Sequence, residues 1–377
     1  MTNWPTKKLG EVIEYEQPTK YLVSSTDYKD EYLIPVLTAG KSFLLGNTDE
    51  KSGVFPKEKL PIIIFDDFTT AIKFVDFPFK VKSSAMKILH AKKNKADIRF
   101  IFYKMLTMKF PHNQHKRYWI SECSKIEIPL PPLATQKQIV ERLDKIAEAQ
   151  KLNDDLIQKT DELFQSLLHK ELNPAGPADA KAMAGKKDWE IKKLGEVCEK
   201  TGQGQPKNFF KKEFRYIDIS SINAEAKEIQ DANLISVEGA PSRARKIVKA
   251  GDIVFATTRP YLENIAIVPT GFNNAIASTG FCVIRANAKI ANPDFIYFTV
   301  ISNPFIKKVL PFQRGANYPA VSDKDIFGIK IPLPPLETQK QIVAKLSAVQ
   351  DYKKQLLGQK SKLKELFDSA LHKSMNN

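Results

Sequence analysis

The chain is written twice. WPTKKLGEV at 4–12 returns as WEIKKLGEV at 189–197, with seven of nine residues identical. IPLPPLATQKQIV at 128–140 returns as IPLPPLETQKQIV at 331–343, with twelve of thirteen identical. LFQSLLHK at 163–170 returns as LFDSALHK at 366–373, with six of eight identical. The first pair is offset by 185 residues and the other two by 203, so the second copy holds 18 extra residues between its opening motif and its IPLPPL segment. An internal repeat of this size sets the plan before any local reading. Each half is an opening motif, a block, a proline hinge and a helix. The blocks, 13–127 and 198–330, show no obvious similarity to each other. A common frame presenting two different surfaces fits this better than a duplication without a shared task.

The frame is helical. Pro129, Pro131 and Pro132 suit neither a helix interior nor a central strand, and they hold an extended segment that ends at Leu133. From Leu133 to Lys170 there is no Gly or Pro. Thr135 is the expected N-cap with Gln138 as its capping-box partner, and Thr338 with Gln341 repeats the pattern. About 35 helical residues would span roughly 50 Å. A seven-residue frame puts Ile139, Leu143, Ile146, Gln150, Asn153, Ile157, Thr160, Phe164 and Leu167 on one seam. The second helix gives Ile342, Leu346, Val349, Lys353, Leu356, Lys360, Leu363, Phe367 and Ala370. Both seams are apolar at the ends and polar near the middle. The repeat predicts a coiled coil, and polar seam positions help to set register. The expected arrangement is an antiparallel pair that throws the blocks to opposite ends of a rod. The alternative is two amphipathic helices, each packed on its own domain.

The expected fold class is therefore α+β: two globular domains of mixed helix and sheet, separated by two long helices with pseudo-two-fold symmetry. The expected parts are a first domain at 1–132, a helix at 133–170, a linker at 171–188, a second domain at 189–335 and a C-terminal helix at 336–377. The linker, ELNPAGPADAKAMAGKKD, is rich in Pro, Ala and Gly and nearly free of large apolar side chains.

Charge points to the partner. The 377 residues carry 58 Lys plus Arg against 43 Asp plus Glu, a net charge of +15. Residues 1–132 and 189–335 each hold +6, whereas the first helix is −1 and the tail from 336 is +4. A polyanion is the natural counterpart, since neutralised phosphates release counterions. Apolar residues make up 42%, enough for real cores. Apolar runs such as PIIIF at 61–65 are far short of the ~20 residues of a membrane span, and the N-terminus has no secretory h-region. Three scattered cysteines, Cys123, Cys198 and Cys282, suit a reducing cytoplasm and build neither a disulfide framework nor a zinc knuckle.

Within the blocks, β-rich runs alternate with turns: YLIPVL (32–37), PIIIFD (61–66), AIKFVDF (71–77), FRYIDIS (214–220), DIVFAT (252–257), NIAIVP (264–269) and GFCVIRA (280–286). Helical runs follow at 97–108 and 294–310. Polar loops have the chemistry of base readers: TAGKS, DDFTT and HNQHKRYW in the first block, and TGQGQPKN, PSRARK, TTRPYLEN and QRGANYP in the second. Arg and Lys pair with guanine, Asn and Gln with adenine, and hydroxyls with phosphate. The candidate DNA contacts are Lys41, Ser42, Thr69, Thr70, Lys116 and Arg117, then Gln203, Gln205, Arg243, Arg245, Arg259, Tyr261, Arg314 and Tyr318.

No catalytic constellation accompanies them. TAGKS fails as a phosphate loop because Pro35 stands where the first glycine must be. His112 and His115 lack the Cys or carboxylate partners of a metal site. Asp66 and Asp67 follow a strand, as metal ligands can, but no partner carboxylate or lysine is recognisable nearby; acceptance from cytosine is open to them. No cofactor and no metal are expected.

The duplicated W..KKLGEV and IPLPPL.TQKQIV motifs around unlike basic blocks resemble the specificity subunit of a Type I restriction–modification system. VLTAGKSFLLGNT, FDDFTTAIKFVDFPFKVKSSAMKIL, GDIVFATTRPYLENIAIV and NYPAVSDKDI are similar to recurring target-recognition-domain sequences. The resemblance covers the whole chain. It implies that each block reads one half of a split site in double-stranded DNA and that the helices set the unread gap. It further implies that the frame docks two modification (methyltransferase) subunits, and that restriction (endonuclease and translocase) subunits, two in number, join them. Methyl transfer, ATP use and cleavage then belong to the partners. Two other classes compete with this reading. A lone nuclease or methyltransferase would need a site absent from these motifs. A coiled-coil scaffold with incidental charge would bind DNA weakly at any ionic strength.

Overall fold

The computed structural model describes residues 4–38, 43–110, 118–172, 188–230, 232–272 and 275–375. The chain divides into two units, Met1–Asp155 with Gly358–Asn377, and Leu156–Leu357. Each unit therefore takes its own portion of both long helices, which run from Leu133–Leu172 and Leu336–Met375.

The first unit contains β1 (Thr6–Lys8), β2 (Ile13–Glu16), β3 (Ile34–Leu37), β4 (Leu44–Thr48), β5 (Ile62–Asp66), β6 (Ile72–Val75), β7 (Lys80–Val81), β8 (Met86–Ala91) and β9 (Glu127–Pro129). One antiparallel sheet has the order β2-β8-β5-β6. In a second sheet, β3 pairs antiparallel with β4 and parallel with β7. β5 is buried along its whole length, and its alternation feeds two cores. Ile63 and Phe65 pack with Leu9, Phe100, Trp119 and Leu143, while Ile62 and Ile64 pack with Phe55, Phe79 and Val81.

The second unit contains β10 (Glu190–Lys193), β11 (Cys198–Glu199), β12 (Glu213–Ile217), β13 (Ile222–Asn223), β14 (Glu228–Ile229), β15 (Asn233–Ser236), β16 (Ala244–Val248), β17 (Ile253–Ala256), β18 (Ile265–Ile267), β19 (Ala275–Ser278), β20 (Phe281–Ala286) and β21 (Lys330–Leu333). The order β11-β20-β17-β18 repeats that of the first unit. So does the second sheet, in which β12 pairs antiparallel with β15 and parallel with β19. β17 splits its side chains between two cores just as β5 does, with Ile253 and Phe255 on one side and Val254 and Ala256 on the other. The pair β13–β14 and the strand β16 have no counterpart among the described residues of the first unit. Two blocks without visible sequence similarity thus share one strand plan.

The repeated motifs meet in space. β1 pairs antiparallel with β9, placing Lys7 opposite Ile128, and β10 pairs with β21, placing Lys192 opposite Ile331. The two registers coincide residue for residue. The opening motif is thus the partner strand of the proline hinge, and this pairing closes each block immediately before its long helix.

Two local expectations are corrected. Thr135 and Thr338 are not N-caps, because the helices already start at Leu133 and Leu336. The carbonyls of Pro132 and Pro335 accept the first helical bonds, from the amides of Gln136 and Gln339 at 3.0 Å each. Those two glutamines are fully buried. The Gln136 amide oxygen accepts from the Asp97 amide (2.8 Å), and its nitrogen donates to the Pro131 carbonyl (2.8 Å). Gln339 does the same with Asn292 (2.7 Å) and Pro334 (2.8 Å). Asp97 and Asn292 are themselves the N-caps of the helices Ile98–Leu106 and Pro293–Val300. One side chain therefore ties hinge, long helix and neighbouring helix cap together. The second correction concerns 294–310, which forms two helices, Pro293–Val300 and Asn303–Val309. Pro304 has no amide hydrogen to continue the first helix and sits instead in the first turn of the second.

The long helices run antiparallel within each unit. In the first, the Gln150 side chain donates to the Leu363 carbonyl (3.2 Å) and Asp154 pairs with Lys360 (2.9 Å). In the second, Asp161 pairs with Lys353 (2.5 Å) and Glu171 with Lys345 (3.2 Å). The predicted seam does more than zip the helices. Leu143, with Ile139, Ile146 and Phe367 beside it, enters the core of the first unit. Ile342 and Leu346, with Phe164 and Leu167, enter that of the second. Leu356, Asn153 and Thr160 are buried, whereas Ile157, Val349 and Leu363 are half-buried. In the first unit, Lys104 reaches the last turn of the C-terminal helix and donates to the Met375 carbonyl (2.6 Å), where a cation also complements the helix dipole.

Replacing Gln136 or Gln339 by leucine leaves a buried amide hydrogen and a proline carbonyl without partners. Each substitution is expected to cost about 1–3 kcal/mol, read as a lower urea midpoint for the unit that contains it.

Candidate nucleic-acid interface

In the second unit, the candidate residues come from three adjoining loops and one sheet edge. TTRPYLEN is the turn between β17 and β18. Arg259 and Glu263 both take left-handed backbone there, at φ 49° and 51°. Thr258 and Arg314 both bridge to Ala320, and the Arg259 amide donates to the Pro319 carbonyl (2.7 Å). These bonds join the turn to QRGANYP. The Arg259 guanidinium lies 4.9 Å from the centre of the Tyr318 ring, a cation–π stack. Tyr261 and Tyr318 are exposed, at 49% and 69%. Arg314 makes a two-point pair with Asp325, with nitrogen–oxygen distances of 2.8 and 3.3 Å. Arg314 and the Ser322 hydroxyl and amide together hold the Asp325 carboxyl well below the usual carboxylate range.

The sheet edge carries Gln203, Arg243 and Arg245. PSRARK is not wholly a loop, because Ala244 already begins β16. Gln203 bridges to Lys246, and the Gly204 amide donates to the Arg245 carbonyl (2.9 Å), so TGQGQ lies along this strand. Gln203, Gln205 and Arg243 are exposed, and Arg245 is half-buried with its Nε donating to the Ser242 carbonyl (2.9 Å). Lys246 is buried and paired with Asp323, so it is committed to the fold. Backbone bonds connect edge and turn. The Arg243 carbonyl accepts from Thr279 (2.8 Å), the Gly280 carbonyl from Thr257 (2.8 Å), and the Thr257 carbonyl from Val321 (2.9 Å). Gln203, Arg243, Arg245, Arg259, Tyr261, Arg314 and Tyr318 thus lie along one hydrogen-bonded run of loops and strand edge.

In the first unit, DDFTT is the turn between β5 and β6, the same place in the strand plan as TTRPYLEN. The Asp66 carboxylate accepts from the Phe68 amide (3.0 Å) and from the Thr69 hydroxyl. Thr70 takes left-handed backbone at φ 58°, unusual for a β-branched residue. Thr69 is exposed, while Thr70 is buried with its hydroxyl turned to the Thr69 carbonyl (2.6 Å). Thr70 therefore shapes the turn and does not face a ligand. Asp67 is buried, accepts from the Trp119 amide (2.8 Å) and lies 3.4 Å from Lys87. Both aspartates are thus bonded within the protein. Among the described residues no three His, Cys, Asp or Glu side chains stand together as a metal site. Lys41, Ser42, Lys116 and Arg117, with His112 and His115, lie outside the described residues.

Sequence reasoning missed two exposed groups. Phe68 sits 54% exposed at the tip of its turn, and the loop reading looked past it for polar side chains. Arg215 lies within β12, between buried Phe214 and half-buried Tyr216, with its guanidinium 5.1 Å from the Phe272 ring. The alternation of FRYI was the available signal, since a strand must turn one of those side chains outward. A cleft of about 920 Å³ in the same unit is a poor host for a polyanion. It carries Asp161, Glu225, Glu228, Glu263 and Asp351, and two of its three lysines, Lys227 and Lys353, are already paired.

The chain as a whole is similar to known proteins. A family model described as the Type I restriction modification DNA specificity domain matches residues 1–160 and again 186–365. The specificity subunit of the Type I restriction enzyme EcoR124I/EcoR124II of Escherichia coli is 33% identical over 357 residues, covering 89% of this chain and 84% of that protein. The crystal structure of the Type-I restriction-modification system S subunit from M. genitalium matches with a TM-score of 0.63 at 17% identity, over 99% of this chain and 96% of that one. The HsdS subunit from Thermoanaerobacter tengcongensis is 45% identical over 45% of this chain and 44% of that chain, with a TM-score of 0.41. The chain belongs to the Type I restriction modification DNA specificity family.

If Arg259 reads a guanine, Arg259→Ala is expected to cost about 1–3 kcal/mol of specific affinity and relax one base position. Competition binding against a randomised duplex library measures both effects.

Proposed function

We propose that the chain is the non-catalytic DNA reader of a Type I restriction–modification complex, with one half of a split site addressed by each block. The observation that carries this is the shared strand plan of two unlike sequences: the same scaffold offers the β5–β6 turn in one block and the β17–β18 turn in the other, with different side chains. Lys41, Ser42, Thr69, Lys116 and Arg117 are the contacts assigned to the first half-site. Gln203, Gln205, Arg243, Arg245, Arg259, Tyr261, Arg314 and Tyr318 are assigned to the second. The frame receives two modification subunits, which transfer the methyl group, and restriction subunits, which use ATP and cleave. The complex works on double-stranded DNA in the cytoplasm.

Methylome sequencing of cells carrying the chain with its methyltransferase partner is expected to return one motif in two parts with an unread gap. A short continuous motif, or methylation by the lone chain, contradicts the proposal. The helices are proposed to set the gap. Removing one heptad from each takes away about 10 Å of helix, close to three base pairs of duplex. The expected result is a gap shorter by about that much with both half-sites unchanged. Altered half-sites at a constant gap would refute the spacer role.

A further inference from the structure

The equivalent turns share one feature that hydrogen-bond readout does not explain. Each places an exposed aromatic ring at its tip, Phe68 at 54% and Tyr261 at 49%. Each is bent by left-handed residues other than glycine, Thr70 in the first and Arg259 with Glu263 in the second. Such backbone is sparsely populated and persists only where the surroundings enforce it. The enforcement is visible. The buried Asp66 carboxylate grips the Phe68 amide and the Thr69 hydroxyl, and the next residue, Asp67, is anchored to the Trp119 amide. In the other turn, Lys227 holds the carbonyl and the carboxylate of Glu263, both at 2.9 Å. Along the chain, Tyr261 therefore lies between Arg259, which stacks on Tyr318, and the anchored Glu263. A hairpin needing only to reverse direction would use glycine, and would not hold an aromatic ring in water.

We propose that Phe68 and Tyr261 are equivalent wedges, each inserted at a base step of its own half-site to stack on a base face and partly unstack the pair. Each block would then read the deformability of one step in addition to base edges. Pyrimidine–purine steps open most easily and are the expected targets. This inference rests on the DNA-reading proposal above. It adds a contact that makes no hydrogen bond to a base and neutralises no phosphate, so removing it should leave the salt dependence unchanged.

The test uses the full chain and duplexes carrying the motif found by methylome sequencing, with 2-aminopurine placed in turn at each adenine of both half-sites. Wild-type protein is expected to raise the fluorescence at one position per half-site. Phe68→Ala should abolish the rise in the first half-site only, and Tyr261→Ala in the second only. Each should weaken binding about tenfold, the scale of one lost base–aromatic stack, with an unaltered salt slope. Tyr261→Phe should retain the signal, which separates loss of stacking from loss of fold. Phe68→Leu, able to insert but not to stack, should keep the fluorescence rise while losing part of the affinity. Affinity within twofold of wild type together with unchanged fluorescence in both alanine variants would overturn the wedge while leaving the reader intact. Equal binding of the motif duplex and a scrambled one by wild-type protein would overturn both.

Discussion

Each block is closed by the pairing of its first strand with the strand just before its long helix. β1 with β9 and β10 with β21 are short, but the rest of the fold hangs on them. They bring the two ends of a block of more than a hundred residues to the same place (positions 13–127 and 198–330). Backbone bonds make the join, so side chains within the block are free to vary. The buried glutamine then fixes the direction in which the helix departs. It is bonded to the hinge on one side and to the cap of a neighbouring helix on the other. A fully buried amide with all these partners tolerates little substitution. This accounts physically for the glutamine shared at 136 and 339.

Much of this was legible beforehand. The repeats announced the frame, the prolines announced the hinge, and the heptads announced the antiparallel helices. What could not be read was the likeness of the blocks. β5 is IIIFD and β17 is IVFA, and each sends alternate residues into two cores. That constraint asks only for apolar residues of suitable volume, so two sequences can satisfy it without resembling each other. The capping error has a similar root. Thr135 with Gln138 is a sound capping pattern, but Pro132, three residues earlier, already supplies a fixed φ and an accepting carbonyl, and the helix starts just after it.

Among the candidate contacts, sequence separated cationic loops from the rest but not free side chains from committed ones. Lys246 and Arg245 are neighbours in PSRARK, yet strand alternation buries the first against Asp323 and leaves the second half-exposed. Thr69 and Thr70 differ in the same manner, through backbone conformation alone. Asp66 and Asp67, a suggestive pair of carboxylates, both take partners within the protein. A charge becomes available to DNA only after the fold has taken its share, and that division depends on partners far away in sequence.

The structure separates what must stay from what can change. The strand closure, the glutamine clamp and the helix seam act through backbone atoms and through a few buried side chains contributed by the repeats. The exposed side chains of the β5–β6 and β17–β18 turns, Phe68, Thr69 and Tyr261, stand outside the buried cores of their units. Replacing those side chains alters the surface offered to a ligand and leaves the closure beneath in place. A chain built this way can hold one frame while two surfaces diverge. The two halves of this protein, nearly identical in frame and unlike in block, are what that freedom produces.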